Sequence, residues 1–262
     1  MFRRLPCFIL LCSLFAFGFG CAPASPDVAV SQKPAEHIQT WVTVAPGIQQ
    51  FSVSLTTPQT GHLVLFAFDP KQFDFRFAYS TSSQTVAEWH RHFPEAVAVF
   101  NGSYFHEDQT PSGNLISGGK DLSPRSFDLD KSAVIELAPQ FRIVDTLNQP
   151  FDATASQEAA QSFPVLVRRG QMAVAEDSGK VARRTFVGVR NDGWAVLGVL
   201  ADGELSLFQL AQKLSQTDVQ MQMALNLDGG PSTGYSFTAG NTEQVANSFT
   251  QVPISIIVGR KK

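Results

Sequence analysis

From Trp41 onward the apolar residues of this chain come in short runs broken by Gly, Pro, Asn and Asp, a rhythm that suits strands and excludes long helices. Phe73–Phe77 alternates phenylalanine with polar residues, the period-two pattern of a strand with one buried face. Trp41–Val44 and Gln50–Leu55 flank a Pro46-Gly47 turn, and His62–Phe68 is a longer apolar run. Ala96–Phe100, Val134–Leu137, Phe141–Val144, Val165–Val167, Thr185–Val189 and Ile254–Val258 have the same texture. Trp194–Leu200 and Leu205–Leu207 read as a hairpin turning through Ala201-Asp-Gly-Glu. Helical spacing is confined to Ser83–His92, capped by Ser83, and Leu207–Leu214, capped by Ser206. The expected fold is α+β: a mixed, mostly antiparallel β-sheet core with a few flanking helices, in a single domain over 41–262. Phe makes up 22 of 262 residues, so most of these rings belong to the core.

The N-terminus supplies an address. Arg3 and Arg4 precede an apolar stretch from Phe8 to Phe19, too short to span a membrane, so residues 1–20 read as a signal peptide. Cys21, straight after Gly20, resembles the lipidated first residue of a bacterial lipoprotein. Gly18 and Phe19 depart from the usual pattern there, and cleavage near Ala22–Ala24 or an uncleaved anchor are the alternatives. Residues 21–40, rich in Pro, Ala and Ser, then read as a lipid anchor and flexible tether. The expected location is the bacterial cell envelope, on the membrane. All 3 cysteines lie at or before position 21, so the domain has no disulfide and no Cys-based zinc site. The formal net charge is −3, and no basic block of the kind that binds nucleic acid is present.

Three stretches carry chemistry. In Ala224–Tyr235 an apolar run (Met223, Leu225, Leu227) delivers Asp228 into Gly229-Gly230-Pro231, followed by Ser232, Thr233 and Gly234. Glycines allow close approach to the main chain, and turn amides with hydroxyls form an anion cradle. The competing reading is a tight turn in which Asp228 binds only local amides. In Ala96–Phe105 an apolar run ends at Asn101-Gly102, with Tyr104 and Phe105 just beyond. The third stretch, Arg183–Arg190, opens with paired arginines, and Arg holds phosphate bidentately.

Together, in order and spacing, these stretches resemble the phosphodiester glycosidase family of the uncovering-enzyme type. The family pattern is Asn-Gly-Gly-Tyr/Phe-Phe, Arg-Thr-Ala-Ile/Val-Gly and Asn-Leu-Asp-Gly-Gly-Gly/Pro-Ser. Here it reads Asn101–Phe105, Arg184–Gly188 and Asn226–Ser232, and the resemblance runs from about residue 60 to the end. Ser103 replaces a glycine and Phe186 a small residue, departures that bear on substrate more than on fold. The resemblance implies hydrolysis of a sugar-1-phosphodiester at the anomeric C–O bond. Asp228 would stabilise or attack the oxocarbenium-like centre, and Arg184 would hold phosphate. Asn101 would orient a sugar hydroxyl, and the Gly229 and Gly230 amides with Ser232 would bind phosphate or a sugar oxygen. Gly102, Tyr104, Thr185 and Thr233 complete the expected substrate-binding set.

Two other readings use the same residues. One is an envelope-anchored module that binds an anionic glycan without turnover. The other is cleavage of a plain polysaccharide, which needs a second carboxylate such as Glu107 or Asp108. His106-Glu-Asp108 lies in the longest irregular stretch, 106–131, where a site loop is expected. Tyr104, Phe105 and Tyr235 adjoin the site turns and are candidate sugar-stacking walls. The expected partners are a glycan or sugar phosphate and the membrane. No cofactor is expected, although an Asp-Gly-Gly turn can serve calcium. A P-loop and His-Glu-x-x-His are absent.

Overall fold

Strands dominate because most segments that bury side chains do so in alternation or are short and β-branched. The computed structural model describes residues 40–55, 60–124, 128 and 130–262, about half of the chain being strand. In chain order the strands begin with β1 (Val42–Ala45), β2 (Ile48–Leu55), β3 (Gly61–Phe68), β4 (Phe73–Gln84), β5 (Ala98–Asn101) and β6 (Leu115–Ser117). Next come β7 (Lys120–Asp121), β8 (Ala133–Ala138), β9 (Arg142–Asp145), β10 (Glu158–Ser162), β11 (Val165–Arg168) and β12 (Gln171–Met172). The last are β13 (Ala182–Arg190), β14 (Ala195–Leu205), β15 (Met221–Asn226), β16 (Tyr235–Ala239), β17 (Thr242–Ala246) and β18 (Val252–Arg260). Two α-helices, α1 (Val86–His92) and α2 (Leu207–Leu214), and two single-turn 3-10 helices, Ala153–Ala155 and Gly230–Ser232, complete the described elements.

The strands form three sheets, ordered β1-β2-β3-β14-β13-β15-β11-β12, β7-β6-β10-β8-β9 and β17-β16-β5-β18-β4. Every pairing among the described residues is antiparallel, so the expected mixed sheet is corrected to antiparallel sheets. The fold is also richer in β-structure than the expected α+β, since both helices are short and neither is a crossover between parallel strands. The three sheets converge on one core containing Phe66, Phe68 and Leu197, then Phe100 and Ile256, and then Leu115 and Ile135. Helix α2 covers the outer face of the largest sheet through Leu210, Ala211 and Leu214. Helix α1 places Val86 and Trp89 on the outer face of the β5–β18 sheet. Residues Ile38–Lys262 form one compact unit. The signal peptide, Cys21 and the tether lie outside the described residues.

Two local expectations need correction. Residues Ser83 and Gln84 end β4, and the cap of α1 is Thr85, in a capping box with Glu88. The expected hairpin at Ala201-Asp-Gly-Glu does not form, because β14 runs straight through it with a bulge. Ala201 is the extra residue, between Leu200↔Leu63 and Asp202↔His62, and the pairing with β3 continues at Gly203↔Gly61, with Gly203 at φ +84. Ser206 caps α2 as expected, in a capping box with Gln209.

Candidate active site

The site lies where β15 leaves the largest sheet and meets the end of β5. Strands β13 and β15 pair at Phe186↔Asn226, and the Leu227 N–H bonds the Thr185 carbonyl at 2.9 Å. Continuing that register sets Asp228 opposite Arg184. Side chains opposite one another share a face, and alternate residues switch faces. Arg184, Phe186, Asn226 and Asp228 therefore lie on one side of the sheet. Thr185, Val187, Leu225 and Leu227 lie on the other, with Val187, Leu225 and Leu227 packed into the main core.

Asp228 is half-buried, and the turn after it serves its own carboxylate. Oδ1 accepts from the Gly229 N–H at 2.9 Å, and the Ser232 hydroxyl bonds it too. Burial pushes its pKa from 3.8 to about 6, opposed by those two hydrogen bonds. The local-turn reading is thus part of the geometry, yet the carboxylate is held where ionisation is costly. Gly229 packs against the Arg183 carbonyl, which a Cβ would meet at 2.9 Å. Gly230, at φ +59, borders open space. Thr233 is fully buried in the same turn.

Asn101 is the latch between sheets. It is fully buried, and Nδ2 donates to the Asp228 carbonyl at 2.8 Å. Its Oδ1 accepts from the Thr185 hydroxyl at 2.7 Å and the Gly234 N–H at 3.1 Å. With both amide ends engaged by protein, Asn101 and Thr185 fix the position of the Asp228 turn. The Asp228 N–H reaches the Gly102 carbonyl at 3.3 Å. Gly102 itself lies against Ile254, where a Cβ would come within 2.5 Å of Cγ2.

Arg184 is held by two backbone carbonyls and, among the described residues, by no carboxylate. Nε donates to Leu205 and Nη2 to Lys180, both at 2.8 Å. Burial lowers its pKa, while Tyr104 and Glu204 oppose that shift. Tyr104 feels both key groups: burial raises the pKa of its phenol, Asp228 raises it further, and Arg184 pulls it back. The carboxylate, the guanidinium and a neutral phenol therefore share one environment. Asn226 completes it, donating from Nδ2 to the Tyr104 hydroxyl, to the Phe163 carbonyl at 3.2 Å and to the Leu227 carbonyl at 2.8 Å.

Of the three rings considered as sugar walls, Tyr104 alone stands beside Asp228. Tyr235 is 7% exposed and packs against Phe66 and Phe100 in the core, and Phe105 packs on the core as well. The ring that joins Tyr104 is Phe163, 40% exposed and 5.0 Å from it. Sequence reading missed Phe163, since only the β10–β11 connection brings it here. It also passed over Asn226, although that residue opens the third motif. Phe186 leaves the same face as Arg184 and Asp228, but its ring is fully buried in the α2 core, over Gly198, where a Cβ would be 2.2 Å from Cζ. The loop carrying His106, Glu107 and Asp108 closes on itself through Phe105↔Pro111, and Asp108 lies near Tyr79. Among the described residues no group of three or more His, Cys, Asp or Glu is gathered to hold a metal.

The family profile of phosphodiester glycosidases matches residues 94–259, which contain Asn101, Arg184 and Asp228. The chain belongs to that family. Solved structures share its fold at low sequence identity. The catalytic domain of zebrafish N-acetylglucosamine-1-phosphodiester α-N-acetylglucosaminidase, auto-inhibited by its pro-peptide, superposes with a TM-score of 0.62 at 16% identity, covering 85% of this chain and 86% of that one. A hypothetical protein from Synechocystis gives 0.59 at 15% identity over 85% of this chain and 64% of that one, so this chain spans less than two thirds of it. An exported protein from Burkholderia pseudomallei K96243 gives 0.53 at 10% identity, over 79% and 75%. These likenesses establish the fold. No curated protein matches the sequence.

Proposed function

We propose that the protein hydrolyses a sugar-1-phosphodiester in an envelope glycan or glycoconjugate, breaking the anomeric C–O bond. Water adds to the sugar carbon and a phosphate monoester leaves. The observation that carries this reading is the pairing of one half-buried carboxylate, Asp228, with one guanidinium, Arg184, held by backbone carbonyls, on a single face of β13–β15. An alkoxide leaving group requires a proton donor, hence the paired carboxylates of ordinary glycosidases. A phosphate monoester leaves as a delocalised anion, so one carboxylate beside the developing cation and one Arg on the phosphate suffice. Tyr104 and Phe163 would flank the sugar, and Asn101 and Thr185 would hold the Asp228 turn in place. Gly230, beside open space, leaves room for a substrate oxygen near the backbone. Lipidation at Cys21 would hold the enzyme at the envelope membrane.

Purified protein should turn over an alkyl- or aryl-phosphate diester of a sugar, and Asp228→Asn should reduce the rate by at least about a hundredfold. A glycan-binding module would instead bind the diester without releasing phosphate monoester, and the substitution would alter affinity alone.

A further inference from the structure

Arg183 is engaged neither by the proposed reaction nor, among the described residues, by an ion pair. It precedes Arg184 on β13, at the break in the β13–β14 register between Ala182 and Arg184. It is 8% exposed. A guanidinium so deep normally has a carboxylate or several carbonyls around it, because an uncompensated buried charge is costly. Here Nη2 makes one long bond, 3.4 Å, to the Asn247 carbonyl. Nε and Nη1 are buried with no hydrogen-bond partner among the described residues. Burial lowers the pKa of the group, and Asp202 on the β14 bulge opposes that shift without forming an ion pair among the described residues. Asp202 is engaged elsewhere, accepting from the His62 N–H at 3.1 Å.

One ring lies over this cation on the solvent side. Cζ of Arg183 sits 3.9 Å from the centroid of Phe249, which is 78% exposed. The Phe249 N–H bonds the Pro231 carbonyl at 2.7 Å, so its backbone is tied to the Asp228 turn while its side chain faces solvent. Rotation about χ1 lifts the ring without disturbing the turn. The same turn holds Thr233, fully buried, with a hydroxyl that has no partner among the described residues.

We propose that Arg183 anchors a second oxyanion-binding subsite, roofed by Phe249 and sharing the Gly229–Thr233 turn as a wall with Asp228. Nη2 carries two protons and Asn247 takes one, so an edge of the guanidinium remains open for a planar, two-point contact. The ligand is a phosphate-type group, supplied either by a substrate carrying a second phosphate or by a free inorganic anion. Anion binding at the subsite does not rest on the hydrolase reading, since its occupancy is read without turnover; only its assignment to substrate rests on that reading.

Inorganic phosphate is titrated into the full-length protein carrying Arg184→Met, which silences the other arginine, and the melting temperature is followed. Phosphate should still raise it, and the rise should vanish in the Arg183→Met/Arg184→Met double variant. Removing a charge-assisted contact should weaken phosphate binding about ten- to hundredfold. Acetate at matched ionic strength should give no comparable rise; an equal rise reduces the effect to ionic strength and overturns the proposal. So does a double variant that keeps its response to phosphate. Should Arg183→Met fail to fold, Phe249→Ala retains and unroofs the cation, and unchanged phosphate affinity in the Arg184→Met background overturns the subsite. Substrates with one and two phosphates, compared on wild type and Arg183→Met, separate the sources. A KM increase confined to the doubly phosphorylated one assigns the subsite to substrate, and equal KM values assign it to a free anion.

Discussion

Asp228 is an acid whose folded environment favours the proton. Its pKa rises from 3.8 to about 6 because burial outweighs the bonds from Gly229 and Ser232. The folded state therefore binds this proton more tightly than the unfolded chain does, and stability falls as pH rises from 3.8 to about 6. Above that range the ionised carboxylate weakens the fold by an amount on the order of 2 kcal/mol, reduced by its partial exposure. Asp228→Asn should then melt above wild type at pH 7.5 or so, with the gain shrinking toward pH 4. A lower melting temperature at neutral pH would mean that the carboxylate is a structural turn acceptor. Catalysis should show the opposite dependence. A carboxylate that stabilises a cation must be ionised, so kcat/KM should rise through about pH 6 to a plateau. A limb falling through that range would make Asp228 a proton donor instead. Arg184 is tested by substrate. Arg184→Lys keeps the charge and loses the planar fork, so a sugar phosphodiester should suffer a loss of about ten- to hundredfold. A neutral aryl glycoside of the same sugar should be much less affected, and an equal loss on both would make Arg184 structural.

At the scale of elements, the bulge in β14 matters most for the site. It turns a sequence that reads as a hairpin into continuous strand and delivers the Leu205 carbonyl to Arg184 Nε. Gly203→Ala would force a Cβ to 2.0 Å from the Thr60 carbonyl at φ +84. Destabilisation of more than about 1 kcal/mol is expected in urea melts, together with a higher KM for the phosphodiester. A neutral substitution would mean that the bulge relaxes freely and Arg184 does not depend on it. The same bulge shows what sequence reading reaches. Ala-Asp-Gly-Glu is turn chemistry whether the chain reverses or bulges, and only the tertiary pairing with β3 decides between them. Strands with a one-sided pattern, such as Phe73–Phe77, were legible, and so was the Ser206 cap. Short pieces such as β6, β7, β12 and β17 were not, because they are too short for a period and, unlike β5, β9 and β11, do not lie in an apolar run. Within the site, Asp228, Arg184 and Asn101 stood at the ends of apolar runs where strands deliver side chains to a rim. Phe163 had no such signal.

At the scale of the molecule, the site is a product of long-range topology. Asn101 and Asp228 are 127 residues apart and meet because β5 and β15 end at the same rim of the converging sheets. Every group assigned to the reaction lies within Ile38–Lys262, which is compact in itself. The chemistry should accordingly be indifferent to how the protein is tethered. If Cys21 carries the lipid, Cys21→Ser should move the protein from the membrane fraction to the soluble fraction or leave it unprocessed. The kcat/KM of soluble Cys21→Ser protein toward a small phosphodiester should stay within about twofold of wild type, the range of a substitution remote from the site. Normal processing with unchanged membrane association would exclude lipidation at Cys21. A soluble, folded variant that loses activity would show instead that the tether, and not only the rim at Asp228, belongs to the catalytic apparatus.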